Sequence, residues 1–465
     1  MDPLVLSRIQ FAWVIAWHFL LPAFTIGLAA FIAVLEGLNL ITGREIYFRI
    51  STFWIKIFAV SFGMGVVSGI VMPFQIGTNW SRYSDAAANV VGPLLAYEGL
   101  TAFFLEAAFL GVLLFGRKLV PRWAHFVAAL MVALGTLFST FWIIATNSWM
   151  QTPAGYEIVD GRFLPKDWLQ IIFSPSFPYR LAHVVDAVYI TTGFVVVGVA
   201  ASYLRQGRFV EEARTMLSMT LWLLTVLVPL QFLLGDAHGL NTLEHQPAKL
   251  AAIEAIWNTH SDVELNLFAI PDEKAETDRY AIAIPELGSL ILTHTLHGTV
   301  HGLKDWPADQ RPSPVAVPFF GFRIMVGIAL IMLAVVVVSL WLRWRDELFH
   351  TDWFLRVCTL VSPLGFIAVT AGWATTEVGR QPWTVYGLLR TRDSISPSLT
   401  GFDVAISLIG YCLVYLVMFS AGLALMVRLV RLGPSEAAGE PDAIEGGRPA
   451  RPVQALPATE AGRRL

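Results

Sequence analysis

Apolar stretches long enough to cross a bilayer as helices alternate along this chain with polar connectors. A hydrocarbon core needs about 20 apolar helical residues. Stretches of that kind occupy residues 11–36, 53–75, 92–115, 124–147, 183–204, 216–234, 318–342, 354–375 and 403–427. The pattern predicts an all-α polytopic membrane protein with about nine transmembrane helices. Asp2 precedes the first basic residue and the first apolar stretch outruns a signal-peptide core, so that stretch reads as an uncleaved span.

The connectors fix an expected orientation. Arg44 and Arg49 follow the first span, Arg117, Lys118 and Arg122 the third, Arg205 and Arg208 the fifth, and Arg343 and Arg345 the seventh; Arg428 and Arg431 follow the ninth. Short loops rich in Lys and Arg stay cytoplasmic, which places the N-terminus outside and the C-terminus inside. Arg82, Arg390 and Arg392 lie on the opposite side and blur the asymmetry. Two long connectors then fall outside, at 148–182 and 235–317. The second is too long for a passive turn; it holds the helix-like KLAAIEAIW and ends in the Pro-rich RPSPVAVP. Residues 1–432 read as one transmembrane domain. Residues 433–465, rich in Gly, Pro, Ala and Glu, read as a disordered cytoplasmic tail.

Composition sharpens this picture. Of 465 residues only 14% are charged and 55% are hydrophobic, against about 25% charged in a soluble domain. A net charge of -3 gives no sign of nucleic-acid binding. Cys358 and Cys412 both sit in apolar runs, which argues against a disulfide framework or a thiolate metal site. Metal chemistry therefore falls to His, Met and carboxylates.

Ionisable groups in apolar spans are costly and default to functional hypotheses. His18 lies in the first span, Glu98 and Glu106 in the third and His183 at the start of the fifth. Arg323 and Met325 open the seventh, and Glu377 and Arg380 follow the eighth. On the expected topology His18, Glu98, His183, Met325 and Glu377 all fall in the outer half of the membrane, which points to one site region. Each has a bland alternative: His18 and His183 as packed polar residues, Met325 as core filler, the carboxylates as partners of bases on other helices. Eight residues of regular helix leave Glu98 and Glu106 offset by about 80°, close enough to line one track. His, Met and carboxylate all serve as axial haem ligands. Among the ten histidines only His18 and His183, with His125 at a margin, fall in or beside the spans. That is too few for a haem–copper centre, and no helix repeats the His pairs of a two-haem four-helix cytochrome b. An electron-transfer cytochrome b or a proton-coupled transporter stays open as an alternative.

The segment GWATTEVGRQPW, residues 372–383, resembles the signature of subunit I of cytochrome bd-type quinol oxidases. LSRIQFAWVIAWHFL, FQIGTNWSRYS, PLLAYEGLTAFFLEAAF, WIIATNSWMQ, KLAAIEAIW and FRIMV match in the family's order, over residues 4–432. The resemblance implies a terminal respiratory oxidase of the bacterial inner membrane. It oxidises ubiquinol or menaquinol and reduces oxygen to water through three haems, generating proton motive force without pumping. It implies His183 and Met325 as ligands of a low-spin haem b, and His18 and Glu377 as ligands of a high-spin pair made of haem b and haem d. By the same resemblance Arg323 and Arg380 would balance haem charge. It further implies that Glu98, Glu106, Ser139 and Asn147 handle protons, that Lys249 and Glu254 face quinol, and that Trp373 sits near the haems. Implied partners are subunit II, a small single-helix subunit and membrane lipid. The loop between spans six and seven resembles the short-loop branch, which includes cyanide-insensitive oxidases with haem b in place of haem d.

Overall fold

The computed structural model describes residues 2–434; the tail expected to be disordered falls, from residue 435 on, outside the described residues. Among the described residues, nine helical stretches are long and apolar enough to cross a membrane, as the hydrophobic pattern predicts. In chain order the helices are α1 (Pro3–Thr42), α2 (Glu45–Asn79), α3 (Ser81–Tyr97), α4 (Phe104–Phe115), α5 (Arg122–Gln151), α6 (Trp168–Ile172), α7 (Phe177–Gln206) and α8 (Val210–His245). There follow α9 (Pro247–Glu254), α10 (Leu287–Thr293), α11 (Ala316–Trp344), α12 (Asp352–Val361), α13 (Leu364–Val378), α14 (Thr391–Ser394) and α15 (Gly401–Leu432). A π-helical turn, Glu98–Phe103, joins α3 to α4 within one span.

Local sequence sets the helix ends. The Asp2 carboxylate accepts from the Leu4 amide ahead of Pro3, so the first span starts with a side-chain cap and a proline whose missing N–H costs nothing there. Gly43 closes α1 in the left-handed region, at φ 65°. Thr400 and Asp403 form a reciprocal capping box at the start of α15.

The helices are longer than the apolar stretches. α5 continues past 147 to Gln151 and α8 past 234 to His245. The expected connector 148–182 therefore shrinks to the segment between Gln151 and Phe177, and the expected loop 235–317 begins after His245. Asp236, His238 and Asn241 are polar without breaking a helix, so hydropathy ends before the backbone does. One consequence corrects the histidine tally: His238 stands inside α8, its ring 5.5 Å from that of His183.

The connector between α5 and α7 carries the hairpin β1 (Tyr156–Val159) and β2 (Arg162–Pro165). The segment between α8 and α11 is ordered into α9, the hairpin β3 (Leu265–Asp272) and β4 (Thr277–Ile284), and α10. A third hairpin, β5 (Trp383–Val385) and β6 (Leu389–Arg390), follows α13. At the opposite end of the bundle the basic connectors tie helices together. Arg49 reaches Glu211 and Glu212, and Arg205 reaches Asp352. There too, Glu36 accepts from Arg117 and Ser51 and faces His125. The main core lies between α1, α2, α7, α8, α11 and α12, around Leu28, Ile32, Trp54, Phe58, Phe194 and Phe354.

Candidate functional site

The signature segment at the end of α13 is where the site's parts meet. Gly372 lies against Met325 of α11: a Cβ there would stand 2.7 Å from the Met325 sulfur, so only glycine admits the thioether in this position. The next residue, Trp373, sets its ring 6.1 Å from Phe19, the neighbour of His18 on α1. One turn later the Glu377 carboxylate receives Asn147 Nδ2 at 3.0 Å and Gln151 Nε2 at 3.3 Å on one oxygen, and Arg380 at 2.5 Å on the other. Gly379 packs on the Lys249 side chain. Eight residues of one helix end thus touch α11, α1, α5 and α9.

Several predicted residues meet here. Asn147 and Glu377 are bonded directly, and Arg180 of α7 donates to the Asn147 side-chain oxygen. Glu377 also forms an ion pair with Arg380, three residues on, so this pair and the wider cluster coexist. His18 hydrogen-bonds Ser68 through Nδ1 at 3.0 Å, and Gly69 packs on its ring edge. That leaves Nε2 without a hydrogen-bond partner among the described residues. Gln231 lies 3.3 Å from both ring nitrogens of His183.

Glu98 and Glu106 line one face after all, and more closely than a regular helix allows. The intervening π-turn holds one extra residue, which removes about 100° and leaves the two about 20° apart. Both look toward α5: Ser139 donates to Glu98 at 2.8 Å, and the Glu106 side chain packs on Gly135. Glu106 is buried, with no hydrogen-bond or ion-pair partner among the described residues.

The two loop residues diverge. α9 is helical only through Glu254, since Ala255 turns left-handed. Lys249 points inward and is buried, its Nζ 2.5 Å from Gln151 Oε1 and 2.6 Å from Gln246 Oε1. Burial, reinforced by Arg180, drives its amine well below the ordinary lysine range against the pull of Glu377. Glu254 instead pairs with Arg323 of α11 at 3.0 Å; burial raises its carboxyl, and Arg323 draws it partly back. Arg323, expected near haem charge, donates in addition to the Asn266 and Ile253 carbonyls.

Gln151, Arg180, His238 and Gln246 were not singled out in the sequence. Gln151 is one turn beyond Asn147 and Arg180 one turn before His183, so both would have followed from longer helices.

The residues fit a carboxylate-bearing metal cofactor. Three buried guanidinium nitrogens, Arg180 Nε and Arg380 Nε and Nη1, have no acceptor among the described residues. Each unmet buried donor costs about 1–3 kcal/mol, a cost that acidic substituents would remove. His18, His183, Met325 and Glu377 stand on four different helices and carry donor types that suit axial positions.

The family model for cytochrome bd terminal oxidase subunit I matches residues 6–434. The cytochrome bd ubiquinol oxidase subunit 1 of Bacillus subtilis is 35% identical over 445 residues, covering 93% of this chain and 94% of that protein. The cytochrome bd-II ubiquinol oxidase subunit 1 of Escherichia coli is 31% identical, covering 93% and 97%. The solved structure of bd oxidase from Geobacillus thermodenitrificans superposes with a TM-score of 0.86 at 30% identity, covering 93% of this chain and 99% of that one. The chain belongs to the cytochrome bd terminal oxidase subunit I family.

Proposed function

We propose that this chain takes electrons and protons from quinol at its outer loop and delivers electrons to oxygen through haem held beside α13. As a subunit I of this family it is a multi-pass bacterial membrane protein and a quinol:oxygen oxidoreductase. The observation that carries this function is the convergence on residues 372–379 of Met325, Phe19 beside His18 in the chain, Asn147, Gln151 and Lys249.

His183 and Met325 would hold a low-spin haem b, and His18 and Glu377 the high-spin pair, whose second member is haem d or a haem b in its place. Bound haem supplies the redox-active iron for electron transfer and for oxygen. The protein's own residues then have separable tasks. Glu254 accepts a quinol proton; burial has raised its carboxyl toward the working pH, as general base catalysis favours. Arg323 holds Glu254 in place, two residues before Met325 on the same helix, which keeps quinol oxidation close to the proposed low-spin ligand. Lys249 orients the head group. Glu106, Glu98, Ser139 and Asn147 hold and pass protons along the seam of α4 and α5. Arg380 balances negative charge at Glu377, and Trp373 packs near Phe19, the chain neighbour of His18.

With quinol oxidised outside and protons for water drawn from inside, sidedness alone would separate charge. We assign the basic connectors to the cytoplasm on the same reasoning. Residues 1–432 would act as one haem-binding unit and 433–465 as a tail. Subunit II is the family's partner; a small single-span subunit, lipid, and ubiquinol or menaquinol complete the assembly in this reading.

Glu254→Ala in the complete oxidase tests the quinol assignment. Quinol-driven oxygen uptake should fall at least tenfold, while uptake driven by an artificial donor that bypasses the loop stays near wild type. Equal loss of both would reduce Glu254 to a folding role, and loss of neither would move quinol elsewhere.

A further inference from the structure

Gln151 is fully buried at the last turn of α5, and its amide is used in both directions. The side-chain oxygen receives Lys249 Nζ at 2.5 Å and Gln246 Nε2 at 3.1 Å. The side-chain nitrogen donates to Glu377 Oε1 at 3.3 Å. Its backbone carbonyl takes a second bond from Gln246 at 2.9 Å. The pattern fixes the amide's orientation, because a flipped side chain would turn its N–H groups toward the Lys249 Nζ donor and its oxygen toward the Glu377 carboxylate. No other side chain among the described residues hydrogen-bonds both the outer loop and Glu377.

We propose that Gln151 is the positioning residue that couples the quinol loop to the haem site, anchoring Lys249 through its oxygen and setting the negative character of Glu377 through its nitrogen. The inference rests on the reading in which Lys249 serves quinol and Glu377 serves haem. Its physical basis is that hydrogen bonds strengthen inside a low-dielectric site and polarise one another along a chain. Anchoring also shapes Lys249 itself. With two amide oxygens on Nζ, the side chain is held toward α5, so the same contact that orients the lysine joins it to Glu377.

Two substitutions separate the halves of this role. Gln151→Leu removes both contacts. Gln151→Glu keeps an acceptor for Lys249 and replaces the donor to Glu377 with a second carboxylate. In the purified, haem-loaded oxidase, Gln151→Leu should raise KM for a short-chain quinol at least fivefold and lower the midpoint potential of the Glu377-associated haem. Gln151→Glu should return KM to within twofold of wild type while lowering that midpoint further, since added negative charge favours oxidised iron. A merely structural glutamine would make the two variants alike. Equal KM and midpoint effects, or none in either variant, would overturn the proposal. If the leucine variant does not assemble, an unshifted midpoint in Gln151→Glu overturns it alone. Lys249→Ala and Glu377→Ala are measured beside them. Should those two leave quinol KM and haem spectra untouched, the underlying assignment fails; should they act while both Gln151 variants do nothing, only the coupling fails.

Discussion

Glu377→Ala should cost the protein a high-spin haem and nearly all oxygen reduction. The carboxylate is the acceptor for Asn147, Gln151 and Arg380, and Arg180 stands behind Asn147. Removing it leaves two buried guanidinium groups, Arg180 and Arg380, without the charge that faces them. Breaking a buried ion pair by deleting one partner costs about 3–5 kcal/mol, a large share of the about 5–15 kcal/mol that holds a typical domain. A second variant therefore separates coordination from stability. Glu377→Gln keeps the shape and the contacts to Asn147 and Gln151 but lacks the anionic oxygen. Pyridine haemochrome analysis should find Glu377→Gln short of one high-spin haem, with turnover down at least a hundredfold and the purified complex intact on gel filtration. Full haem content with normal oxygen uptake would reduce Glu377 to the ion pair with Arg380.

Met325→Leu should act on a different signal. Leucine replaces methionine with little change in volume, and such swaps in a core cost less than about 1.5 kcal/mol. The fold should survive while the thioether is lost. The sulfur lies against Gly372, where no side chain stands to displace it. The low-spin absorption should become high-spin, or its midpoint shift strongly, while the signals tied to His18 and Glu377 persist. An unchanged low-spin spectrum and potential in Met325→Leu would remove this residue as a ligand.

What the sequence could reveal follows from how local each signal is. The nine spans were legible because burial in lipid demands long apolar runs, and the caps at Asp2 and Thr400 show why two of the helices start where they do. The costly groups were legible too, since Glu106, His18 and Glu377 stand out against an apolar background. Helix length was not. Asn147 and Gln151 share a face only because α5 runs on to Gln151, past the last strongly apolar turn. His238 was hidden in the same way by the polar end of α8. The register of Glu98 and Glu106 depends on the π-turn between them, and nothing in EGLTAF announces an extra residue. The sequence arithmetic did place Lys249 and Glu254 on different faces of α9. Their partners, Gln151 and Arg323, lie 98 and 69 residues away along the chain and only the fold could pair them.

Whether this chain carries haem that reacts with oxygen is read most directly from a reduced-minus-oxidised absorption spectrum of the purified oxidase, recorded with and without carbon monoxide. A low-spin haem b signal that ignores carbon monoxide and a high-spin component that binds it are expected. A protein with no haem absorption, or with low-spin haem alone and no response to carbon monoxide, would contradict this.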